Sequence, residues 1–188
     1  MRSIIKTPFY YWKEELSPTL CKAIIEEGKK LELIDASIHT DKTVDTQYRV
    51  GQTGFFPKGG WVESIVATYV QKANHFAGWN FILEGAEKVQ FGIYNKDAYY
   101  KWHRDCSISG DLYRKLSITI QLSNPKDYEG GKFEIKNFWN THELPLEEDV
   151  HKQGTIIVFP SILMHQVTKV TRGTRYSLVQ WYNGPDFI

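Results

Sequence analysis

After Trp79 the sequence changes to a series of short segments rich in β-branched and aromatic residues. Such segments favour β-strands, and turn residues such as Asn124-Pro125 and Gly130-Gly131 lie between them. The predicted strands are Phe81-Ile82-Leu83, Val89 to Tyr94, Tyr99 to His103, Leu116 to Leu122, Lys132 to Ile135, Thr155 to Phe159 and Arg175 to Tyr182. Many short strands separated by turns are typical of a double-sheet β fold such as a jelly-roll.

Two helices are predicted before these strands. Ser17 and Pro18 read as an N-cap followed by proline in the first turn, and apolar residues at helical spacing extend this helix to about residue 32. Apolar residues at i, i+4 and i+8 predict a second helix from Trp61 to Phe76. Residues 3 to 12 are β-branched and aromatic and predict an edge strand.

The order of these elements predicts an α+β fold that is mainly β. We expect a double-stranded β-helix (jelly-roll) core over about 81–183, with N-terminal helical support over about 1–80 packed on one sheet. The length of 188 residues fits a single domain, 1–188. Within the N-terminal part, the polar, glycine-rich residues 39–60 contain a short predicted strand and are a candidate substrate lid, with an ordinary disordered loop as the alternative.

Charge and composition exclude several classes of protein. Lys and Arg number 23 against 22 Asp and Glu, so the net charge of +1 gives no reason to expect nucleic acid or an anionic membrane as a partner. No segment has the length of apolar sequence that a membrane span needs, and no signal peptide is recognised. The two cysteines, Cys21 and Cys106, have no metal or redox spacing. We therefore expect a soluble, cytoplasmic protein.

Three residues form a candidate metal site. His103 and Asp105 are two residues apart, so in an extended strand both side chains leave the same face. If His165 reaches the same point, two imidazoles and one carboxylate occupy one face of a metal, an arrangement that suits non-haem Fe(II). Cys106 is adjacent but should point to the opposite face.

Two further features describe the surroundings of that metal. Residues Leu116 to Leu122 alternate apolar and polar side chains, as expected for a barrel strand with one face on a polar cavity. Arg175 follows His165 after a turn and can grip a carboxylate through two parallel hydrogen bonds, with Ser177 on the same side. A 2-oxo acid with a distal carboxylate fits this set, since one end chelates iron and the other meets the arginine.

The order of residues along the chain resembles the prolyl 4-hydroxylase-like family of Fe(II)/2-oxoglutarate dioxygenases, particularly its PKHD-type members. The resemblance rests on Tyr94, Tyr100, His103, Asp105, Gly130-Gly131, the FPSILMH segment ending at His165, Arg175, Ser177 and Trp181. It implies iron ligation by His103, Asp105 and His165, with Arg175 on the distal carboxylate of 2-oxoglutarate. It also implies that Tyr94 lies near this co-substrate and that Trp181 lines the pocket. Two positions depart from the family pattern: Asp97 stands where glycine is frequent, and Gln121 where some members carry a tyrosine that meets the carboxylate.

The implied activity is hydroxylation of an unactivated C–H bond with O₂ as co-substrate and succinate and CO₂ as products. The implied substrate is a prolyl residue in a peptide or protein, and ascorbate is a further candidate cofactor. Two alternatives remain open: the same chemistry on another amino acid or small molecule, and a jelly-roll binding module without catalysis.

Overall fold

A computed structural model describes residues 7–36, 45–106, 113–137, 143–144, 146 and 148–185. In this part of the chain, two helices, α1 (Pro18–Gly28) and α2 (Trp61–Phe76), precede most of the strands. The strands are β1 (Tyr10–Trp12), β2 (Ile34–Asp35), β3 (Arg49–Val50), β4 (Gln52–Phe55), β5 (Gly85–Ala86), β6 (Gln90–Tyr94), β7 (Tyr99–His103), β8 (Arg114–Gln121), β9 (Tyr128–Gly130), β10 (Phe133–Ile135), β11 (Ile156–Pro160), β12 (His165–Val167), β13 (Val170–Gly173) and β14 (Arg175–Asn183). A short 3₁₀ helix covers Glu148–His151.

The strands form antiparallel sheets that do not close into a barrel. The larger sheet has the order β1-β11-β8-β14-β6-β4-β2, with β5 added on β14. The smaller sheet has the order β10-β12-β7-β3, and β13 pairs with β9 separately. Side chains from the larger and the smaller sheet line one cavity, which therefore lies between them. This mainly β architecture with two helices confirms the predicted fold class.

The two helices pack on the outer face of the larger sheet. Ile24 of α1 and Val66 and Val70 of α2 belong to the same buried cluster as Leu116, Ile118 and Ile120 of β8. The alternate residues of β8, Ser117, Thr119 and Gln121, are also buried and are polar. The predicted period of two along this strand is thus confirmed, with an apolar face toward the helices and a polar face toward the cavity.

The first helix begins where predicted and ends earlier. The Ser17 hydroxyl accepts a hydrogen bond from the Leu20 N–H at 3.2 Å, and Pro18 occupies the first turn. The helix ends at Gly28 because the next backbone bonds, from Lys30 to Glu27 and from Leu31 to Gly28, span three residues instead of four. The second helix covers the predicted residues.

The predicted strand Phe81-Ile82-Leu83 is wrong. These residues form a loop that is tied to α2, since the Asn74 side chain donates to the Phe81 carbonyl and accepts from the Phe81 N–H, both at 2.9 Å. Asn80 has a positive φ of 51°, which breaks an extended path. The first strand after α2 is β5.

The expected lid divides into two parts. Residues 39–44 lie outside the described residues. The remainder crosses from one sheet to the other: β3 pairs with β7 in the smaller sheet, and β4 pairs with β6 in the larger one. Phe56 is buried in the core, whereas Phe55 is exposed. Six of the sixteen described residues from 45 to 60 are therefore in strands, and the other ten are turns or coil.

No helix in the described ranges is long and apolar enough to cross a membrane.

Close packing of α1 against the larger sheet predicts a strict size limit at Gly28. A Cβ at this position would lie 2.6 Å from the ring of Phe91, a side chain with 0% exposure. We expect Gly28→Ala to lower the free energy of unfolding by about 1–3 kcal/mol, the usual cost of overpacking a core. The measurement is urea unfolding followed by circular dichroism. Gly85→Ala is the control, because a Cβ there has nothing within 4 Å; equal stability of the two variants would contradict the packing argument.

Candidate metal centre

The two histidines of the predicted site lie opposite each other on neighbouring strands. β12 pairs with β7 in a register that places His165 directly across from His103. Asp105 is not part of β7, which ends at His103. It lies in a bend, where the backbone N–H of Asp105 donates to the carbonyl of Ser161 at 3.0 Å. The carboxylate thus reaches the histidines through this bend and not through the strand spacing that the sequence suggested.

The three side chains form a compact set of possible metal ligands. One ligand atom from each of His103, Asp105 and His165 lies within 4.8 Å of the others. The Nε2 atom of His103 is 3.5 Å from Oδ1 of Asp105, and the Nε2 atom of His165 is 3.4 Å from Oδ2. Among the residues that the structure describes, this is the one such cluster, and Cys106 is not a member.

Backbone carbonyls fix which nitrogen each imidazole presents. Nδ1 of His103 lies 2.7 Å from the carbonyl oxygen of Lys101, and Nδ1 of His165 lies 3.0 Å from that of Leu163. A carbonyl oxygen only accepts, so each Nδ1 carries the hydrogen and each Nε2 keeps a lone pair. Both lone-pair nitrogens face Asp105, which is the arrangement that a metal requires.

The ionisation of these groups also suits a divalent cation. Burial, together with the nearby His165, lowers the pKa of His103 to about 4, so this imidazole is neutral near pH 7. Burial acts to raise the pKa of Asp105, but the close approach of His165 and His103 holds that pKa well below its ordinary value. An ionised carboxylate and a neutral imidazole are the forms that bind metal.

A β-bulge in β7 adds an aromatic wall that sequence spacing did not predict. A step of two positions in β12, from His165 to Val167, is matched by a step of three positions in β7, from His103 to Tyr100. The extra residue brings Tyr100 to the same side as His103. Their rings stack with centroids 3.4 Å apart and an interplanar angle of 13°. The guanidinium carbon of Arg49 lies 4.6 Å from the centre of the Tyr100 ring and also lines the cavity.

Arg175 is buried in the same cavity, with 1% exposure. Its Nη2 donates to Oε1 of Gln121 at 2.7 Å, and its Nη1 donates to the Ser177 hydroxyl at 3.3 Å. Nε of Arg175 and Nε2 of Gln121 are buried donors without a hydrogen-bond partner among the described residues. A cation with unused donors inside a cavity fits a carboxylate, as 2-oxoglutarate would supply.

Two aromatic residues complete the predicted set. Tyr94 pairs with Arg175 across β6 and β14, and its ring centre is 5.4 Å from the guanidinium carbon. Trp181 is 9% exposed and lines the cavity, with the guanidinium carbon of Arg114 4.0 Å from its ring centre. Seven of the eight predicted site residues line this one cavity, and Gln121 lies behind Arg175.

Two residues near the site, Gly131 and Asp97, have a left-handed backbone conformation. Gly131 has a φ of +57°, and a Cβ on it would lie 3.0 Å from Cδ of Arg175. Asp97, which stands where the related family often has glycine, has a φ of +73°. Aspartate adopts this left-handed backbone conformation more readily than most residues, so the position is occupied here without glycine.

Sequence analysis assigned no role in the site to Ser117 or Ser161, did not predict that Tyr100 lines the cavity, and placed Arg49 only in the candidate lid over residues 39–60. The sequence placed Ser117 on the polar face of the predicted strand, and this was the only indication that its side chain could lie near the site. Arg49 and Ser161 are brought in by sheet pairing and by a loop, for which a single sequence gives no signal.

Comparison with known proteins places this geometry in a family. The sequence profile of the 2OG-Fe(II) oxygenase superfamily matches residues 89–183. A PKHD-type hydroxylase of Prochlorococcus marinus is 37% identical over 93 residues, which is 50% of this chain and 40% of that protein. A PKHD-type hydroxylase of Hyphomonas neptunium is 31% identical over 98 residues, 49% of this chain and 41% of that protein. The chain thus spans about two fifths of the length of these relatives.

Solved structures share the fold over most of the chain. A prolyl-4-hydroxylase of Pseudomonas putida superposes with a TM-score of 0.73 and 21% identity, covering 96% of this chain and 95% of that one. A prolyl hydroxylase of Trichoplax adhaerens, solved with a peptide fragment of hypoxia inducible factor, has a TM-score of 0.76 and 14% identity, covering 95% and 84%. The matched profile contains all eight predicted site residues and runs from β6 to the end of β14. From this match, the chain belongs to the 2OG-Fe(II) oxygenase superfamily.

Proposed function

We propose that this protein hydroxylates a prolyl residue in a peptide or protein, using Fe(II), 2-oxoglutarate and O₂. The observation that carries the proposal is the presence of a His-Asp-His cluster and a buried arginine with unused donors in one cavity. Membership in the 2OG-Fe(II) oxygenase superfamily supports the metal and the co-substrate. The names of the PKHD-type relatives and the peptide bound to the Trichoplax protein support the substrate class.

His103, Asp105 and His165 are the proposed iron ligands. Two imidazoles and one carboxylate on one side leave the other coordination positions for the co-substrate and O₂. When bound, iron activates O₂ and couples the conversion of 2-oxoglutarate into succinate and CO₂ to hydroxylation of the substrate. The side chains contribute by holding their lone pairs toward one point, through the carbonyls of Lys101 and Leu163.

Arg175 is the proposed receptor for the distal carboxylate of 2-oxoglutarate. Gln121 and Ser177 hold its guanidinium from one side, so the planar group is oriented before any ligand arrives. Gln121, which stands where some family members carry a tyrosine, is proposed to act through Arg175, because it lies behind the guanidinium and not on the cavity wall. Tyr94 covers the guanidinium with its ring.

The remaining cavity wall keeps water from the reacting atoms. Phe133, Phe159, Val167 and Val179 line the cavity, and Trp181 is proposed to close one side of it. An apolar wall strengthens the interaction of Arg175 with a carboxylate and protects a reactive site from side reactions.

Cellular location and reductant also form part of the proposal. Cys21 and Cys106 are both buried thiols that form no disulfide, which supports a reducing compartment such as the cytoplasm. Ascorbate is proposed as an auxiliary reductant from the resemblance to prolyl hydroxylases, and its omission from a turnover assay tests that role.

Metal binding should stabilise the folded chain. Mn(II), which accepts similar nitrogen and oxygen ligands, should raise the free energy of unfolding by about 2.7 kcal/mol at one hundred times its dissociation constant. We expect this increase to vanish in His165→Ala and to persist in His75→Ala, whose side chain is exposed on α2. Urea unfolding with and without Mn(II) provides the measurement, and an increase that survives in His165→Ala would argue against the proposed ligands.

The arginine site predicts a selective loss of co-substrate affinity. Fe(II) and 2-oxoglutarate, mixed with the protein without oxygen, should give the visible charge-transfer band of a chelated 2-oxo acid. Arg175→Ala should require about 10- to 100-fold more 2-oxoglutarate for half of the band, because charged hydrogen bonds contribute about 1.5–3 kcal/mol. Arg172→Ala is the matched control, since this arginine is exposed and pairs with Glu129. The same half-saturation in both variants would exclude Arg175 as the receptor.

The substrate class is tested by turnover. A proline-containing peptide, incubated with Fe(II), 2-oxoglutarate and O₂, should gain one oxygen atom on proline while succinate forms in equal amount. A peptide with alanine in place of proline is the control and should gain none. If the charge-transfer band forms but a broad set of proline peptides is not oxidised, the prolyl substrate is wrong while the oxygenase chemistry stands.

A further inference from the structure

The two oxygens of the Asp105 carboxylate have different surroundings. Oδ2 accepts a hydrogen bond from the hydroxyl of Ser117 at 2.7 Å. Oδ1 faces Nε2 of His103 at 3.5 Å. Oδ2 also lies 3.4 Å from Nε2 of His165, so each oxygen faces one imidazole, and among the described residues only Oδ2 also accepts from a hydroxyl.

A second serine determines the direction of this hydrogen bond. The hydroxyl oxygen of Ser161 lies 2.8 Å from that of Ser117. An ionised carboxylate only accepts, and a hydroxyl has one hydrogen. Ser117 must therefore give its hydrogen to Asp105, and Ser161 gives its own to Ser117. The two hydroxyls form a directed chain, from Ser161 through Ser117 to Oδ2.

The same serine also holds the backbone of the aspartate. The carbonyl of Ser161 accepts from the N–H groups of Asp105 and Cys106, at 3.0 and 3.1 Å. Ser117 and Ser161 are both 0% exposed, so water cannot take the place of either hydroxyl. The carboxylate is thus fixed at its backbone and at one oxygen by groups from two different strands, β8 and the end of β11.

We infer that Ser117, supported by Ser161, is a positioning residue that engages Oδ2 and so favours Oδ1, which accepts from no hydroxyl of the described residues, as the oxygen that Asp105 offers to a metal. This inference rests on the proposed metal site. Its chemical consequence is one-point ligation by Asp105. A carboxylate that bound through both oxygens would take a further coordination position, and a 2-oxo acid together with O₂ needs three.

The test uses Co(II) as the probe, since its visible d–d absorption reports both affinity and coordination. The full chain is titrated anaerobically with Co(II) alone, with no co-substrate and no turnover. We expect Ser117→Ala to bind Co(II) about 10- to 100-fold more weakly, the usual effect of losing a partner of a metal ligand, and to change the shape of the d–d bands. Ser161→Ala should show a smaller loss. The double variant should bind no more weakly than Ser117→Ala, because Ser161 acts through Ser117.

Ser123→Ala is the control that distinguishes the positioning role from the general effect of removing a buried hydroxyl. The Ser123 hydroxyl is also buried, accepts from the Tyr176 N–H at 2.7 Å and lies just after β8, away from Asp105. Its removal should lower the urea midpoint about as much as Ser117→Ala does, with Co(II) affinity and spectrum unchanged.

The outcomes are distinct. If the native chain shows no Co(II) d–d bands, the proposed metal site itself fails and the positioning role falls with it. If the native chain binds Co(II) and a folded Ser117→Ala variant binds it with the same affinity and spectrum, the positioning role alone is overturned. Additive losses in the double variant would also overturn the directed chain.

Discussion

Arg175 is a permanent cation with 1% exposure, and its burial imposes conditions on four separate parts of the fold. A buried charge is tolerated only when neighbouring groups replace the water that it has lost. Here the side-chain amide oxygen of Gln121 and the hydroxyl of Ser177 accept hydrogen bonds from the guanidinium, and the Tyr94 ring covers it. Gly131 leaves the space that the aliphatic part of the side chain fills. A shift of one residue in the pairing of β14 would break the contacts with Gln121, Tyr94 and Gly131 together.

Stability and function share one strand in this protein. The odd and even residues of β8 serve different neighbours: Leu116, Ile118 and Ile120 pack in the core beneath the helices, while Ser117 and Gln121 contact Asp105 and Arg175. The helices therefore do more than cover apolar surface. By fixing the apolar face of β8, they also fix the height and orientation of the polar groups on the other face.

The sequence was sufficient for those parts of the structure that depend on periodicity and residue type. The alternation along β8, the helix at Trp61–Phe76 and the set of His103, Asp105, His165 and Arg175 could all be predicted, because each has a local pattern or matches the order of a known family. The predicted strand at Phe81-Ile82-Leu83 failed because a side chain of α2, Asn74, captures the backbone there, a contact that local propensity cannot report.

Other parts of the site depend on tertiary geometry. Asp105 meets His103 through a bend that is fixed by the Ser161 carbonyl. The spacing of the two residues predicted the correct pair, but the strand geometry assumed for it is not the one observed. Arg49 comes to the cavity on a two-residue strand whose pairing partner is more than forty positions away in sequence. A single sequence contains no periodic signal for contacts of this kind.

The bulge in β7 separates two properties that a regular strand would link. In an unbroken ladder, residues three apart point to opposite faces, so Tyr100 and His103 could not both face the cavity. The extra residue between them removes this restriction and lays the tyrosine ring on the imidazole. Loss of one residue between Tyr100 and His103 would leave the two residues two apart in a regular ladder, so both would still face the cavity. The bulge thus lets β7 hold one more residue between the tyrosine and the histidine while the two rings stay stacked.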